Sequence, residues 1–375
     1  MKKIFVAFFF ISSLLASCSS EEIGGPNRDE NTNTTVPKPE PDDNDGTSLS
    51  GMAFTKDMGV GWNLGNTLDA PDGETSWGNP ITTKAMIDVV AKKGFKTMRI
   101  PVTWRNHLGE APNYIIDKAW LDRVETIASY ALQNDMYVII NIHHDEEIIS
   151  PTYAKEYEST QVVKAIWSQV AKRFKDYDDR VIFEVLNEMR VKGSKEEWQG
   201  GTEEGRNCIN KFNAAGVEAI RNAGGKNDVR KIMLSPYAAS ATNVAMEALE
   251  IPKGDKNIIV AVHSYAPYNF CQKEDNPKLT WGTKADKDEL DYEFANIKKT
   301  FIDKGYPVVL GEWGSKNNNN TDQRAIHAAY YAKGAIAAGI CPIVWDDGGN
   351  FKQLNRQNRV WYFEDIVDAI VSAVK

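Results

Sequence analysis

A chain of 375 residues, 42% of them apolar and 26% charged, suits one large globular domain or two small ones, and α/β barrels occupy that length as a single unit. Its 44 basic and 52 acidic residues leave a net charge of −8 with no basic block, which argues against a nucleic-acid partner. The 10 Trp and 14 Tyr suit flat, polyhydroxylated ligands, although most aromatic residues in such a chain serve as packing.

Residues 1–17, ending in Leu15-Ala16-Ser17 before Cys18, carry two lysines, an apolar run too short to span a bilayer and then small residues. This is the pattern of an export signal, and its end resembles a bacterial lipobox in which Cys18 is acylated. Ser19, Ser20, Glu21 and Glu22 resemble, over a shorter match, the surface-export signal of Bacteroidetes lipoproteins. The expectation is an outer-membrane lipoprotein exposed at the cell surface, with a membrane contact through its lipid. The alternatives are a periplasm-facing lipoprotein or a protein secreted after cleavage of an ordinary signal with a chance cysteine. Residues 18–50 are rich in Asn, Thr, Pro, Asp and Glu and cannot bury enough surface to order themselves, so a flexible linker is expected there. Residues 51–375 are left as one folded domain, expected to act as a monomer.

From residue 51 onward short apolar runs alternate with helix-period segments. The predicted strands are 58–65, 97–102, 137–144, 181–188, 231–237, 257–265, 307–314 and 341–347. Between them lie segments such as TTKAMIDVVAKKG, which places Gly94 at a helix end. Such βα repetition predicts a parallel sheet closed into an (β/α)8 TIM barrel. A doubly wound open sheet is the alternative, but GWNLGN after the first strand is not a G-x-G-x-x-G phosphate loop. Cys208, Cys271 and Cys341 match neither a zinc site nor a disulfide framework and read as core residues, with any single disulfide left open.

In a barrel of this kind the site forms at the C-terminal strand ends, and polar residues gather there. Asn63 ends the first strand, Arg99 lies in the second, and His143 and His144 end the third. Asn187 and Glu188 end the fourth, His263 and Tyr265 the sixth, Glu312 the seventh, and Trp345 with Asp346 the eighth. Two carboxylates facing each other across the mouth, Glu188 and Glu312, are what glycoside hydrolysis requires; separately, each would also suit a structural ion pair. Arg99 can hold a buried carboxylate ionised, and Glu312 is the partner by role. Tyr265 would orient that carboxylate, His263 would bond a sugar hydroxyl or a carboxylate, and Asn187 would reach the 2-hydroxyl if the strand frays into its loop. His143-His144-Asp145-Glu146-Glu147 also invites a metal reading. Adjacent strand residues face opposite sides, however, and no H-E-x-x-H helix is present. His107 and His327 are expected outside the site.

These residues and the segments GWNLGNTLDA, ETSWGNP, GFKTMRIPVTW, MYVIINIHHD, FEVLNE, VHSYAPYNF, VVLGEWG and VWDDGG resemble glycoside hydrolase family 5, and within it the subfamily 4 endoglucanases. The resemblance covers residues from about 52 to 370. It implies a retaining endo-β-1,4-glucanase with Glu188 as acid/base and Glu312 as nucleophile. It further implies a shell of Arg99, His143, Asn187, His263, Tyr265 and Trp345 around the sugar, with Asn63, His144, Trp62 and Trp104 as additional candidates, and neither cofactor nor metal. The implied substrates are cellulose-like chains, mixed-linkage glucan and xyloglucan, with a mannanase or xylanase on the same scaffold as the alternative. A non-catalytic glycan-binding lipoprotein would require loss of a carboxylate or its support. Two departures stand out. Met189 occupies the place of the family's proline, and Glu146, Glu147, Ile148 and Ile149 follow His144-Asp145 where the family often has a cleft tryptophan.

Overall fold

The computed structural model describes residues 50–375, so the export signal, Cys18 and all but the last residue of the linker expected at 18–50 fall outside the described residues. Eight parallel strands form a barrel closed in chain order: β1 (Gly61–Asn63), β2 (Thr97–Ile100), β3 (Tyr137–Asn141), β4 (Val181–Glu184), β5 (Ile232–Leu234), β6 (Ile258–His263), β7 (Val308–Trp313) and β8 (Ile340–Val344). β8 pairs back onto β1 through Gly61↔Ile343 and Trp62↔Val344. This is the (β/α)8 barrel expected, and an open sheet is excluded by that closure.

Every predicted strand exists, but each hydrogen-bonded ladder is shorter than its apolar run. The polar residues placed at strand ends therefore sit partly in the loops beyond: β3 stops at Asn141 and β4 at Glu184. The helices are α1 (Gly51–Asp57), α2 (Lys84–Lys93), α3 (Lys118–Leu132), α4 (Glu156–Arg173), α5 (Glu203–Asn222), α6 (Asn243–Glu247), α7 (Tyr268–Cys271), α8 (Lys284–Thr300), α9 (Thr321–Ala337) and α10 (Glu364–Val371). Their ends follow local rules. Asp117 caps α3 by accepting the Ala119 N–H, Thr283 and Asp286 form a reciprocal capping box on α8, and Gly94 ends α2 at φ 116°.

Strand alternation divides the apolar residues into two clusters. Val181, Phe183 and Val185 point outward beneath the helices, where Trp167 of α4 donates to the Val185 carbonyl. Ile139, Ile182, Met233, Ile259 and Val309 point inward and meet Phe54 and Met58, which fill one end of the barrel from α1 and the residue after it. The inner wall is thus apolar at that level and polar above it. Cys208, Cys271 and Cys341 are all buried and free. A small antiparallel pair, β9 (Leu354–Asn355) and β10 (Val360–Trp361), lies in the segment after β8.

Candidate active site

The upper inner layer is built around a buried guanidinium. Arg99, fully buried, donates from Nε to Glu184 (2.7 Å), from Nη1 to Asn63 (3.0 Å) and Glu312 (2.8 Å), and from Nη2 to Asn187 (2.7 Å). A charge so deep is tolerated only when paired and hydrogen-bonded, and here every nitrogen has a partner. Burial alone would lower the guanidinium pKa, but the Glu184 and Glu312 charges raise it instead. Asn63 is itself fully buried and donates to the Gly311, Ile343 and Val344 carbonyls, so it supports Arg99 from inside the barrel and does not reach the mouth.

Glu312 reaches this layer through an irregularity. The β7–β8 register shifts between Leu310 and Trp313, and a bulge of that kind re-aims side chains. Val309 faces inward, and strict alternation would put Glu312 outside; the shift turns Glu312 in and Trp313 out, where it stacks on Tyr331 of α9 at 4.3 Å. Tyr265 Oη donates to Glu312 Oε2 at 2.9 Å. Across the mouth stands Glu188, its side chain 18% exposed and its Oε1 2.8 Å from His263 Nδ1. Carboxylate oxygens of Glu188 and Glu312 lie within 4.8 Å of each other. Of the two partners expected for His263, a sugar hydroxyl or a carboxylate, its Nδ1 takes the carboxylate of Glu188. Burial works to lower its pKa, but the Glu312 charge and the neighbouring Glu184 and Glu188 overturn that and raise it to about 9. Burial likewise works to raise Glu188, and the His263 contact outweighs it, holding that carboxyl below its ordinary value.

His143 is buried, and burial pushes its pKa well down, with the neighbouring cations adding to the effect. Its ring lies parallel to Trp345 at 5.9 Å between centroids. Trp345 in turn lies on Gly65, where any β-carbon would come 2.7 Å from the indole. His143 and His144 do not face opposite sides as a strand would dictate. Both lie beyond β3, and their rings meet edge to face at 4.4 Å. Trp62 and Trp104 are fully buried and donate to Asp346 and to the Asn141 carbonyl, which makes them supports with no ring face open to a ligand. His107 stacks on Trp120 and His327 is buried against Trp281 and Tyr331, so neither joins the site.

Both departures from the family pattern are accommodated locally. Met189 is buried and its carbonyl accepts the Ala238 N–H. Glu146 is buried where the cleft tryptophan was expected. It receives Arg190 at 2.8 Å and Lys192 at 3.2 Å, and although burial works to raise its pKa, contacts to His144 and Arg190 bring it down to about 2. Arg190 also donates to the Glu188 carbonyl at 2.9 Å and lies 4.3 Å over the ring of Trp198. Trp198 and Trp77, the latter 5.7 Å from the His144 ring, are about half exposed and present open aromatic faces on loops beyond the strands. Asn141 and Glu184 were not singled out from the sequence either. Their signal was a lone polar residue inside an otherwise apolar strand.

Among the described residues two groups have donor atoms within 4.8 Å of one another, Asp69-His143-His144 and Glu188-His263-Glu312. Asp69 accepts the Asn66 and Thr67 N–H groups, Glu312 takes Arg99 and Tyr265 on its two oxygens, and Glu188 Oε1 takes His263. What the second group can do is acid–base and nucleophilic chemistry across a gap of a few ångströms.

Residues 63–350 match the family model described as cellulase, glycosyl hydrolase family 5. Endoglucanase B of Clostridium cellulovorans is 45% identical over 332 residues, which cover 86% of this chain and 76% of that protein. Among solved structures, ZgEngAGH5_4 in complex with a cellotriose superposes with a TM-score of 0.85 at 51% identity, covering 87% of this chain and 99% of that one. A GH5-4 broad specificity endoglucanase from Clostridium acetobutylicum gives 0.85 at 48% identity, covering 86% and 99%.

Proposed function

Given that this chain belongs to glycosyl hydrolase family 5, we propose that its barrel mouth hydrolyses internal β-1,4 bonds of glucans by double displacement, with Glu312 as nucleophile and Glu188 as acid/base. The protein is a glycoside hydrolase of the endo-β-1,4-glucanase type. In the first step Glu312 attacks the anomeric carbon while the leaving oxygen takes a proton from Glu188. In the second, Glu188 removes a proton from water, which attacks the same carbon and releases Glu312. The observation that carries this reading is the separation of the two carboxylates. Oxygens within 4.8 Å fit the about 5–5.5 Å between carboxyl groups of retaining enzymes, whereas inversion needs about 6.5–9.5 Å to seat a water.

Supporting groups fall into place around that pair. Arg99 and Tyr265 both donate to Glu312, leaving it little freedom to turn from its line of attack. His263 and Glu188 act as a coupled pair holding one proton between them, so the proton needed by the leaving group crosses the 2.8 Å contact from the imidazole. His143, Asn187 and Trp345 line the sugar at the cleaved bond. Trp77 and Trp198 offer stacking faces farther along the chain of sugars, in place of the tryptophan absent after Asp145. Their spread suits a long glucan, and broad glucan use follows the subfamily.

The N-terminal pattern around Leu15-Ala16-Ser17-Cys18 supports a further part of the proposal, that the enzyme is a lipoprotein of the outer membrane, facing outward. Incubation with β-glucan, mixed-linkage glucan, xyloglucan, mannan and xylan, with NMR of the first product anomer, tests the reading. Internal cleavage of glucans with a β-anomer released first is expected. An α-anomer first would remove the double displacement. Cleavage confined to mannan or xylan would replace the substrate class.

A further inference from the structure

Glu184 has no part in the roles assigned above, yet it is fully buried in the inner wall of β4, on the side away from the helices. We propose that Glu184 is a positioning residue for this hydrolysis, anchoring the Arg99 fork beneath Glu312 and facing the His263 ring that carries Glu188. The inference rests on the reading of Glu188 and Glu312 given above.

An ionised carboxylate inside a barrel is expensive to desolvate, and an ion pair built to meet that cost adds little stability compared with apolar packing. In register Glu184 pairs with Met233 on β5 and Asn141 on β3, and Ile182 lies one inward step below it, so apolar filling was open on two of these three sides. A role in stability therefore explains Glu184 poorly.

Glu184 Oε2 accepts Arg99 Nε at 2.7 Å and Asn141 Nδ2 at 3.0 Å. The rigid guanidinium thus spans Glu184 on one edge and Glu312 on the other, where Nη1 donates at 2.8 Å. Without the lower acid, Nε loses its anionic partner and the fork, held then by Asn63, Asn187 and Glu312 alone, can shift and draw the Glu312 carboxylate off its line of attack. Asn141 extends the same tie to His143, its Nδ2 lying 3.1 Å from the imidazole Nδ1.

Glu184 Oε1 and His263 Nε2, both buried, have no side-chain or backbone hydrogen-bond partner and stand 3.9 Å apart, too far for a hydrogen bond but close enough for their charges to act on each other inside the barrel. Gly311 makes the approach possible, because a β-carbon there would lie 2.8 Å from Nε2 and 3.5 Å from Oε1. The groups facing His263 are Glu184 and Glu188 from β4 and its loop, Glu312 on β7, and Arg99 on β2, with His143 beyond β3. Glu184 is the acid among them that touches no reacting atom. Its charge adds to those of Glu312 and Glu188 in keeping the ring protonated, with Nδ1 turned toward Glu188.

Glu184→Gln keeps the shape and removes the charge. It should lower kcat on soluble glucan by roughly 100-fold with little change in KM, and move the alkaline limb of kcat/KM down by about one pH unit. Glu184→Asp, which keeps the charge, should leave that limb in place. A wild-type kcat and limb in the Gln variant would overturn the proposal. So would a fall in kcat accompanied by a fall in melting temperature with the limb unmoved, which is the mark of a structural role. Should the Gln variant not fold, 15N NMR of the wild-type imidazoles, with His263 assigned through His263→Asn, decides the matter. A charged His263 at neutral pH supports the proposal and a neutral one overturns it. Failure of the underlying reading looks different, since Glu188→Gln and Glu312→Gln would then leave hydrolysis unchanged.

Discussion

Arg99 and His263 are the two cations around which Glu184, Glu188 and Glu312 are arranged, and only the imidazole changes charge in the working pH range. His263 titrates at about 9 in the folded chain against an ordinary value of 6.5. A raised pKa stabilises the fold fully below the unfolded value, and that contribution is lost as pH rises through about 9. The melting temperature should therefore fall between neutral pH and pH about 9 in the wild type. A scan of His263→Asn should lack that fall. On the acid side the sign reverses. His143, whose pKa burial pushes down, and Glu184, which burial raises but the Arg99 charge brings below its ordinary value, both withdraw stability as pH falls. Activity should follow the same pair: Glu188→Gln should lower kcat by about 10²–10⁴-fold, the range for a general acid. A variant within tenfold of wild type on an ordinary glucan would show that the proton comes from elsewhere.

At the scale of strands and loops, the bulge in β7 decides whether Glu312 faces the cavity. It leaves Gly311 pressed against His263 with no room for a side chain. Gly311→Ala forces the ring to move and breaks its contact with Glu188. The cost to stability should be about 1–3 kcal/mol, as for overpacking, while kcat should fall by roughly 100-fold, as for a reacting group displaced by an ångström. Calorimetry beside kinetics separates the two effects; equal small losses in both would mean that the site can relax around a methyl group. The loop after β4 is the second element with a consequence. Arg190 ties Glu146, the Glu188 carbonyl and the Trp198 ring together, so Arg190→Ala should weaken binding of long glucans and raise KM more than it lowers kcat. Comparing chains of increasing length checks this, since the loss should grow with length if Trp198 stacks on a sugar beyond the cleaved bond.

For the molecule as a whole, the barrel is closed at one end by Phe54 and Met58 and carries its chemistry at the other. On the lipoprotein proposal, removing residues 1–49 should leave melting temperature and soluble-glucan activity unchanged while abolishing recovery with membranes. Removing residues 1–58 should also lower stability, since burying each large apolar side chain of the plug is worth about 2–5 kcal/mol. Parallel melting curves and membrane fractionation of the two truncations separate anchor from fold. Eight apolar runs alternating with amphipathic segments were enough to specify the barrel, because burying a parallel sheet under helices is a local, periodic requirement. Glu188, Glu312, Arg99, His263 and Tyr265 could be picked out because each is a polar residue within an apolar run or at its end. What stayed hidden depends on relations between strands. Alternation alone would have pointed Glu312 outward, and the shift against β8 turned it in. His143 and His144 share one side because they lie past the ladder. Glu184 looked like an exception in a buried strand until closure brought Arg99 and His263 onto it, since a side chain's electrostatic partners are chosen by distance across the barrel and not along the chain.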